Sequence, residues 1–294
     1  MCEMSTPGPF ASEVPATPEN TPGPPVQFHI LASGSSGNAT LLQVGDRRLL
    51  LDGGLPPTRL KSLLGEIGVE WTGIHAFLLT HTHSDHWHAG VIQQLWERRI
   101  PLFCHGSHRK ALQSGAPDFV SLGFAGLLRY FEAGRSFDPL PSVRCRPLAI
   151  PHDGGATFGF RFDGPGWSVA YAADLGSWDR QLAPAFADVD LLALEFNHDL
   201  DLQRASRRPG WLVNRVLGDH GHLSNHQGAR LLKECILASA QKRPRHVVQL
   251  HLSKDCNTPE LAAEAAQAIL DEFQVPATLH TTWQGHRGPS IEVV

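Results

Sequence analysis

Leu78-Leu79-Thr80-His81-Thr82-His83-Ser84-Asp85-His86 is the stretch from which the fold of this chain can be read. Ile74, Ala76, Phe77, Leu78 and Leu79 form an apolar run that reads as a buried strand, and three imidazoles and a carboxylate follow it at once. Imidazole nitrogen and carboxylate oxygen are ligands that suit Zn²⁺, and also Mn²⁺ or Fe. Residues this close in sequence do not all face one ion. His81 and His83 can converge on one metal while Asp85 and His86 turn toward a second, so one loop can seed a two-metal site. With 17 histidines in 294 residues, some clustering is expected anyway. The pattern H-x-H-x-D-H directly after a strand is what points to a metal.

Outward from this loop, other metal-ligating residues stand at the same kind of place. His152 follows an expected strand at Val143 to Ile150, Asp174 one at Ser168 to Ala172, and His251 one at His246 to Leu250. Functional groups collect where strands deliver loops to one edge of a sheet. Asp52 ends an expected strand at Arg48 to Leu51, where a buried carboxylate can orient a ligand histidine. The turn Ser33-Gly34-Ser35-Ser36-Gly37-Asn38 joins strands expected at Gln27 to Ala32 and Ala39 to Val44, and its backbone N–H groups can face an anion. Helices are expected at Pro57 to Leu64, Ala89 to Arg99 and Trp178 to Ala187. Two more begin near Ser224, where Ser224-x-x-Gln227 matches a capping box, and at Pro259. Residues 107–124 show no clear period. Strands and helices interleave without a linker, so the expected organisation is a disordered tail at 1–25, too poor in apolar surface to fold, and one domain at 26–294.

Composition narrows the class. Hydrophobic residues make up 41% of the chain, enough for a large core, and the formal net charge of −4 gives no global nucleic-acid signature. The five cysteines, Cys2, Cys104, Cys145, Cys235 and Cys256, are odd in number and dispersed, which argues against a disulfide framework and for a reducing cytoplasm. No apolar run has the length of a membrane span, and the N-terminus does not read as a secretory signal. Two basic clusters, Arg204, Arg207 and Arg208, then Lys242, Arg243 and Arg245, flank site-bearing segments.

Taken together, Asp52, His81, His83, Asp85, His86, His152, Asp174 and His251 resemble, in order, the pattern of metallo-β-lactamase-fold hydrolases. The resemblance implies an α/β fold, an αββα four-layer sandwich with two mixed sheets between helices. It also implies two divalent metal ions, Zn²⁺ or Mn²⁺: His81, His83 and His152 on the first, Asp85, His86 and His251 on the second, with Asp174 bridging. Ser33 to Asn38, Glu195-Phe196-Asn197-His198-Asp199, Gly221-His222-Leu223-Ser224-Asn225 and His251-Leu252-Ser253 resemble the WalJ/YycJ-type exonuclease branch, which is related to ribonuclease Z. The chain departs from that branch at Trp87-His88, at Phe196, where Ser is usual, and at Cys256, where Asn is frequent. Cys256 is read as a passive small residue, since the ligand set is already full.

The expected function is therefore a metal-dependent phosphodiesterase, an exonuclease on DNA or RNA, in which paired ions lower the pKa of a water from about 15.7 toward about 7 and so supply hydroxide. His222, Asp85 and Asp174 are the candidate catalytic residues. By the resemblance, His222 contacts the scissile phosphate and protonates the leaving oxygen, while Asp85 and Asp174 are ligands first. Asp52, Ser35, Ser36, Asn38, Glu195, His198, Ser224 and Asn225 are expected to support the ligands or the substrate. DNA is favoured over RNA as the partner, no membrane is expected, and the oligomeric state is open. The alternatives are a small-molecule hydrolase of a thioester, lactone or cyclic phosphodiester, and a non-catalytic metal-binding scaffold.

Overall fold

A computed structural model describes residues 23–294; the tail expected at 1–25 lies outside it except for its last three residues, which are exposed. The first half of the chain runs β1 (Val26–Ala32), β2 (Ala39–Val44), β3 (Arg47–Leu51), α1 (Pro57–Gly65), β4 (Ala76–Leu78), α2 (Ala89–Glu97), β5 (Leu102–His105), α3 (Arg109–Gly115), α4 (Asp118–Phe124) and β6 (Leu128–Phe131). The second runs β7 (Phe137–Leu140), β8 (Val143–Ile150), β9 (Thr157–Gly164), β10 (Trp167–Ala172), α5 (Leu182–Ala185), β11 (Leu191–Glu195), α6 (Leu200–Ala205), α7 (Gly210–Leu217), α8 (Asn225–Ala238), β12 (His246–Leu250), α9 (Pro259–Glu272), β13 (Thr278–Thr281) and β14 (Ser290–Glu292).

Two sheets result, ordered β14-β1-β2-β3-β4-β5-β6 and β13-β12-β11-β10-β9-β8-β7. Both are mixed. From β14 the first sheet pairs antiparallel as far as β3 and parallel beyond it. From β7 the second is antiparallel as far as β10 and parallel beyond it. Side chains alternate across a strand, and this divides β3: Leu49 and Leu51 face the second sheet, while Leu50 faces the outer helices. The space between the sheets is filled by Phe28, Leu78, Phe160, Phe162, Tyr171 and Val248, among others. Outside the first sheet, Leu60, Leu63 and Leu64 of α1 and Val91, Ile92 and Leu95 of α2 cover Leu50 and Phe77. Outside the second, Leu231, Leu232 and Ile236 of α8 and Ala262, Ala266 and Leu270 of α9 cover Leu194 and Val247. Each large apolar side chain so buried is worth about 1.5–3 kcal/mol. This is the αββα sandwich the sequence implied.

Most expected elements stand within two residues of their predicted ends. The helix expected over 178–187 shrinks to the four residues of α5. Asp179 turns the chain by accepting from the Gln181 backbone N–H at 2.8 Å, and Pro184 has no N–H to extend the helix. Leu182, Ala183 and Phe186 still bury as the apolar spacing required.

Within each sheet the parallel strands point the same way, and the loops after β4, β10 and β12 meet. Gly54 fixes how close β3 and the His81–His86 loop come: a Cβ there would lie 1.8 Å from the Asp85 carbonyl oxygen and 2.6 Å from the His86 nitrogen. The Gly53 N–H donates to the His86 carbonyl at 2.8 Å, and the Asn38 N–H donates to that of Asp85 at 2.7 Å. Gly54→Ala is expected to displace the loop and cost about 2 kcal/mol or more in urea unfolding, as overpacking does. Gly65→Ala, in a helical position with nothing within 4 Å, should raise stability by about 0.5–1 kcal/mol. Equal stability of the two variants would contradict this placement of the loop.

Candidate active site

Six chain segments meet at the shared edge. Asp52 follows β3, the His81–His86 loop follows β4, and His152 follows β8. Asp174 follows β10, Glu195 ends β11 and His251 follows β12. Asp52, Asp174 and His251 all take left-handed backbone conformations, with φ of 59°, 57° and 58°. Non-glycine residues held this way cost about 1–3 kcal/mol each and gather at functional sites. The turn lets a side chain at the end of an extended strand swing across the sheet edge instead of continuing its alternation.

His81, His83 and His152 offer ring nitrogens that all lie within 4.8 Å of one another, as do the ligand atoms of Asp85, His86, Asp174 and His251. Asp174 also groups in this way with Glu195, His222 and His251. His83 Nδ1 and His152 Nε2 are 3.2 Å apart. Asp174 Oδ2 is 2.8 Å from His86 Nε2, and Oδ1 is 3.1 Å from His251 Nδ1. All seven expected ligands are therefore brought together.

The opposite nitrogen of four rings is already engaged. His86 Nδ1 donates to Asp52 Oδ2 at 2.7 Å, and His152 Nδ1 donates to the Gly221 carbonyl at 2.9 Å. His251 Nδ1 donates to Glu195 Oε1 at 3.0 Å. His81 Nδ1 lies 3.0 Å from Thr80 Oγ1, a hydroxyl that itself donates to Asp52 at 2.8 Å. In each case Nε2 is the nitrogen turned toward the cluster, the arrangement that metal-binding histidines use.

A divalent cation fits these residues. His81 Nε2 and His251 Nε2 are buried with no hydrogen-bond partner. Such atoms cost about 1–3 kcal/mol each when unmatched, and two of them beside the Asp174 carboxylate call for a positive ion. Charge follows the same division. Burial lowers His81 well below the ordinary imidazole value, with His86 adding to it, and burial also lowers His83 and His152, so these rings are neutral ligands. Burial works against charge on His251 too, but Asp174, Asp85 and Glu195 raise it to about 10. Burial would push Asp174 up, yet His251 and His86 hold it well below the usual carboxylate range. That side of the cluster is built to face positive charge.

Glu195 is the organising carboxylate. Its Oε1 accepts from His222 Nδ1 at 2.7 Å as well as from His251, and its Oε2 accepts from the backbone N–H groups of Leu175 at 3.1 Å and Leu223 at 3.0 Å. Burial opposes its charge, but His222 and His251 bring it down to about 2. His222 is thereby fixed beside Asp174, at 3.6 Å, and remains 18% exposed at the mouth. The expected capping box forms just after it, with Ser224 and Gln227 bonded reciprocally.

The other expected residues divide. Asn38 reaches the site: its Nδ2 lies 2.9 Å from His86 Nε2 and 3.3 Å from Asp85 Oδ2. Asn225 instead exchanges two 2.9 Å amide bonds with buried Asn257. His198 is buried with neither ring nitrogen bonded, so it does not orient His222. Ser35 and Ser36 are exposed, and Ser35 bonds Gln284 at 3.2 Å. From the same turn it is Ser33 whose hydroxyl accepts the His251 N–H, at 2.8 Å. Cys256 is buried with a free thiol and belongs to none of the ligand groups.

Sequence reasoning missed Asp153 and Arg215. Asp153 Oδ1 is 3.5 Å from His83 Nε2, and Arg215 Nη2 donates to that oxygen at 3.0 Å. Asp153 sits next to a ligand, which was a usable signal; Arg215, 62 residues on, gave none. Trp87 donates to the Thr82 carbonyl at 3.0 Å and so braces the ligand loop.

The Beta-lactamase superfamily domain matches residues 47–251. Exodeoxyribonuclease WalJ of Streptococcus pneumoniae strain D39 is 30% identical over 237 residues, 80% of this chain and 85% of that protein. Exodeoxyribonuclease YycJ of Bacillus anthracis is 24% identical over 252 residues, 84% of this chain and 90% of that one. The metallo-β-lactamase-fold protein YhfI of Bacillus subtilis superposes with a TM-score of 0.67 at 18% identity, covering 91% of this chain and 99% of its own.

Asp174→Ala is expected to reduce the metal content measured by elemental analysis. Asp52→Asn should weaken metal binding about 10- to 100-fold, as losing a partner behind a ligand histidine does. Full metal occupancy in both variants would show that these carboxylates do not organise the site.

Proposed function

Because this chain belongs to the β-lactamase superfamily and is a metal-dependent hydrolase of that fold, we propose that it is a dinuclear phosphodiesterase that removes nucleotides from DNA. The position of His222 carries this reading. Its ring is held by Glu195 at 2.7 Å beside the ligand cluster, while Nε2 is left to face the open side. The names of the WalJ and YycJ relatives supply the polymer.

His81, His83 and His152 would hold one ion, Asp85, His86 and His251 the other, with Asp174 shared between them; Zn²⁺ and Mn²⁺ both suit these donors. When bound, such ions lower the pKa of a water and polarise a phosphoryl oxygen. The chain's own groups do the rest. Glu195 accepts a hydrogen bond from His222 Nδ1 and so turns Nε2 toward the open side, from where a protonated ring would pass its Nε2 proton to the departing sugar oxygen. Asn38 keeps the Asp85–His86 end of the loop from turning away. Asp153, held by Arg215, keeps His83 facing inward. Thr80 and Asp52 do the same for His81 and His86. The free cysteines and a DNA substrate fit a reducing cytoplasm. Among the described residues, no helix is long and apolar enough to cross a membrane.

End-labelled single- and double-stranded DNA and RNA, incubated with the protein in Mn²⁺ or Zn²⁺, test the reading. Stepwise loss of nucleotides from DNA is expected. His222→Ala should lower kcat about 10²- to 10⁴-fold with metal content unchanged. Turnover of a small ester with no cleavage of any polymer would assign the site to small molecules, and full activity in His222→Ala would remove that residue from the reaction.

A further inference from the structure

The α6–α7 segment lies between the fifth strand-end residue, Glu195, and the His222 motif, and the roles above use only its Arg215. From Leu202 to Gly218 it contains Arg204, Arg207, Arg208 and Arg215 and no acidic residue. Both ends are pinned to ligand loops. Arg208 Nη2 donates to Ser253 Oγ at 3.3 Å and to Asp255 at 2.9 Å, beside His251. Arg215 Nη2 donates to Asp153 at 3.0 Å, beside His152. The C-terminal turn of α7 is also tied to the site through its backbone, since the His222 N–H donates to the Val216 carbonyl at 3.0 Å. The segment thus spans the site from the His251 side to the His152 side.

Trp211 sits between these two anchors. It is 68% exposed, while Val216 is the buried residue of its helix. Trp211 and Arg215 are four residues apart in α7 and so share a helix face. Arg215 on that face reaches Asp153, which together with His83, Asp85 and His222 makes up the accessible side of the ligand cluster. Trp211 therefore presents its indole to solvent on the face of α7 that Arg215 ties to the site. An aromatic ring flanked by cations that follow a phosphate backbone is the pattern that binds single-stranded nucleic acid, because every base has a face to stack.

We propose that Trp211 is a base-stacking platform at the mouth of the site, holding an unpaired nucleobase of a DNA strand while Arg204 and Arg207 meet its phosphates. This deepens the DNA phosphodiesterase reading and takes its polymer from it. The platform holds a base near the ligand cluster by stacking alone, so it reads strand ends without reading sequence, and it favours single strands or frayed termini over closed duplex.

The test is direct binding to the metal-loaded full-length protein, using a phosphorothioate-linked single-stranded oligodeoxynucleotide that resists cleavage. Trp fluorescence should be quenched in the wild type, and the quenching should largely vanish in Trp211→Phe while affinity is mostly kept. Trp211→Ala should bind about tenfold more weakly, in line with the loss of one stacked base. An abasic oligonucleotide of equal length and charge should bind wild type and Trp211→Ala alike. Unchanged affinity in Trp211→Ala, or an equal loss against the abasic and intact strands, would overturn the platform, the second result assigning Trp211 to packing. Cleavage of unmodified DNA is followed in parallel. Trp211-dependent binding without cleavage would sustain the platform and reject the phosphodiesterase reading; cleavage with an unaltered KM in Trp211→Ala would reject the platform alone.

Discussion

A ring nitrogen is fixed toward a cation when the other nitrogen of the same ring is held from behind. Asp52, Thr80, Glu195 and the Gly221 carbonyl do that holding for His86, His81, His251 and His152. The two carboxylates are wholly buried, where an unpaired charge would be expensive. Each is matched by several donors: Asp52 by the Thr80 N–H, the Thr80 hydroxyl and His86, Glu195 by two backbone N–H groups and two imidazoles. These matched carboxylates fix the orientation of the rings they bond, His86 by Asp52, and His222 and His251 by Glu195.

The fold supplies the rigidity this requires. Central strands β10 and β11 are buried along their whole length, as strands covered on both faces must be, and they deliver Asp174 and Glu195 to the same edge. The left-handed conformations of Asp52, Asp174 and His251 are stable only because packed sheets hold both sides of each turn. Two similarly ordered sheets, each antiparallel and then parallel, put their strand ends opposite each other. The His81–His86 loop of one sheet and Asp174 and His251 of the other then face across the gap, with the Phe158 N–H donating to the Thr80 carbonyl at 3.2 Å between them.

What could be read from the sequence was whatever followed an apolar run. His81, His152, Asp174 and His251 each come directly after one, so their shared edge was visible, and Glu195 could be placed for the same reason. Partnerships across long separations were not. Nothing local ties Arg215 to Asp153 or Asn225 to Asn257, since each pair is made by the fold. Helices α6 and α7 are short and bury only Gln203 and Val216, so little packing against the core defines them. The short helices α3 and α4 are separated by a break at Ala116-Pro117, which blurred the period over residues 107–124. Ser35 and Ser36 looked equivalent to Ser33 and Asn38 because one turn contains all four; only the backbone path decides which of them face inward.

The seven residues follow one another in the order the resemblance implies and their side chains meet at one edge, and the proposed pair of cations rests on both. Anomalous diffraction from crystals of the protein grown with Zn²⁺ measures this most directly. Two peaks are expected, one among His81, His83 and His152 and one among Asp85, His86 and His251, each about 2.0–2.2 Å from its ligand atoms, with Asp174 between them. Peaks located elsewhere, or none within reach of these side chains, would contradict the placement of the metal centre.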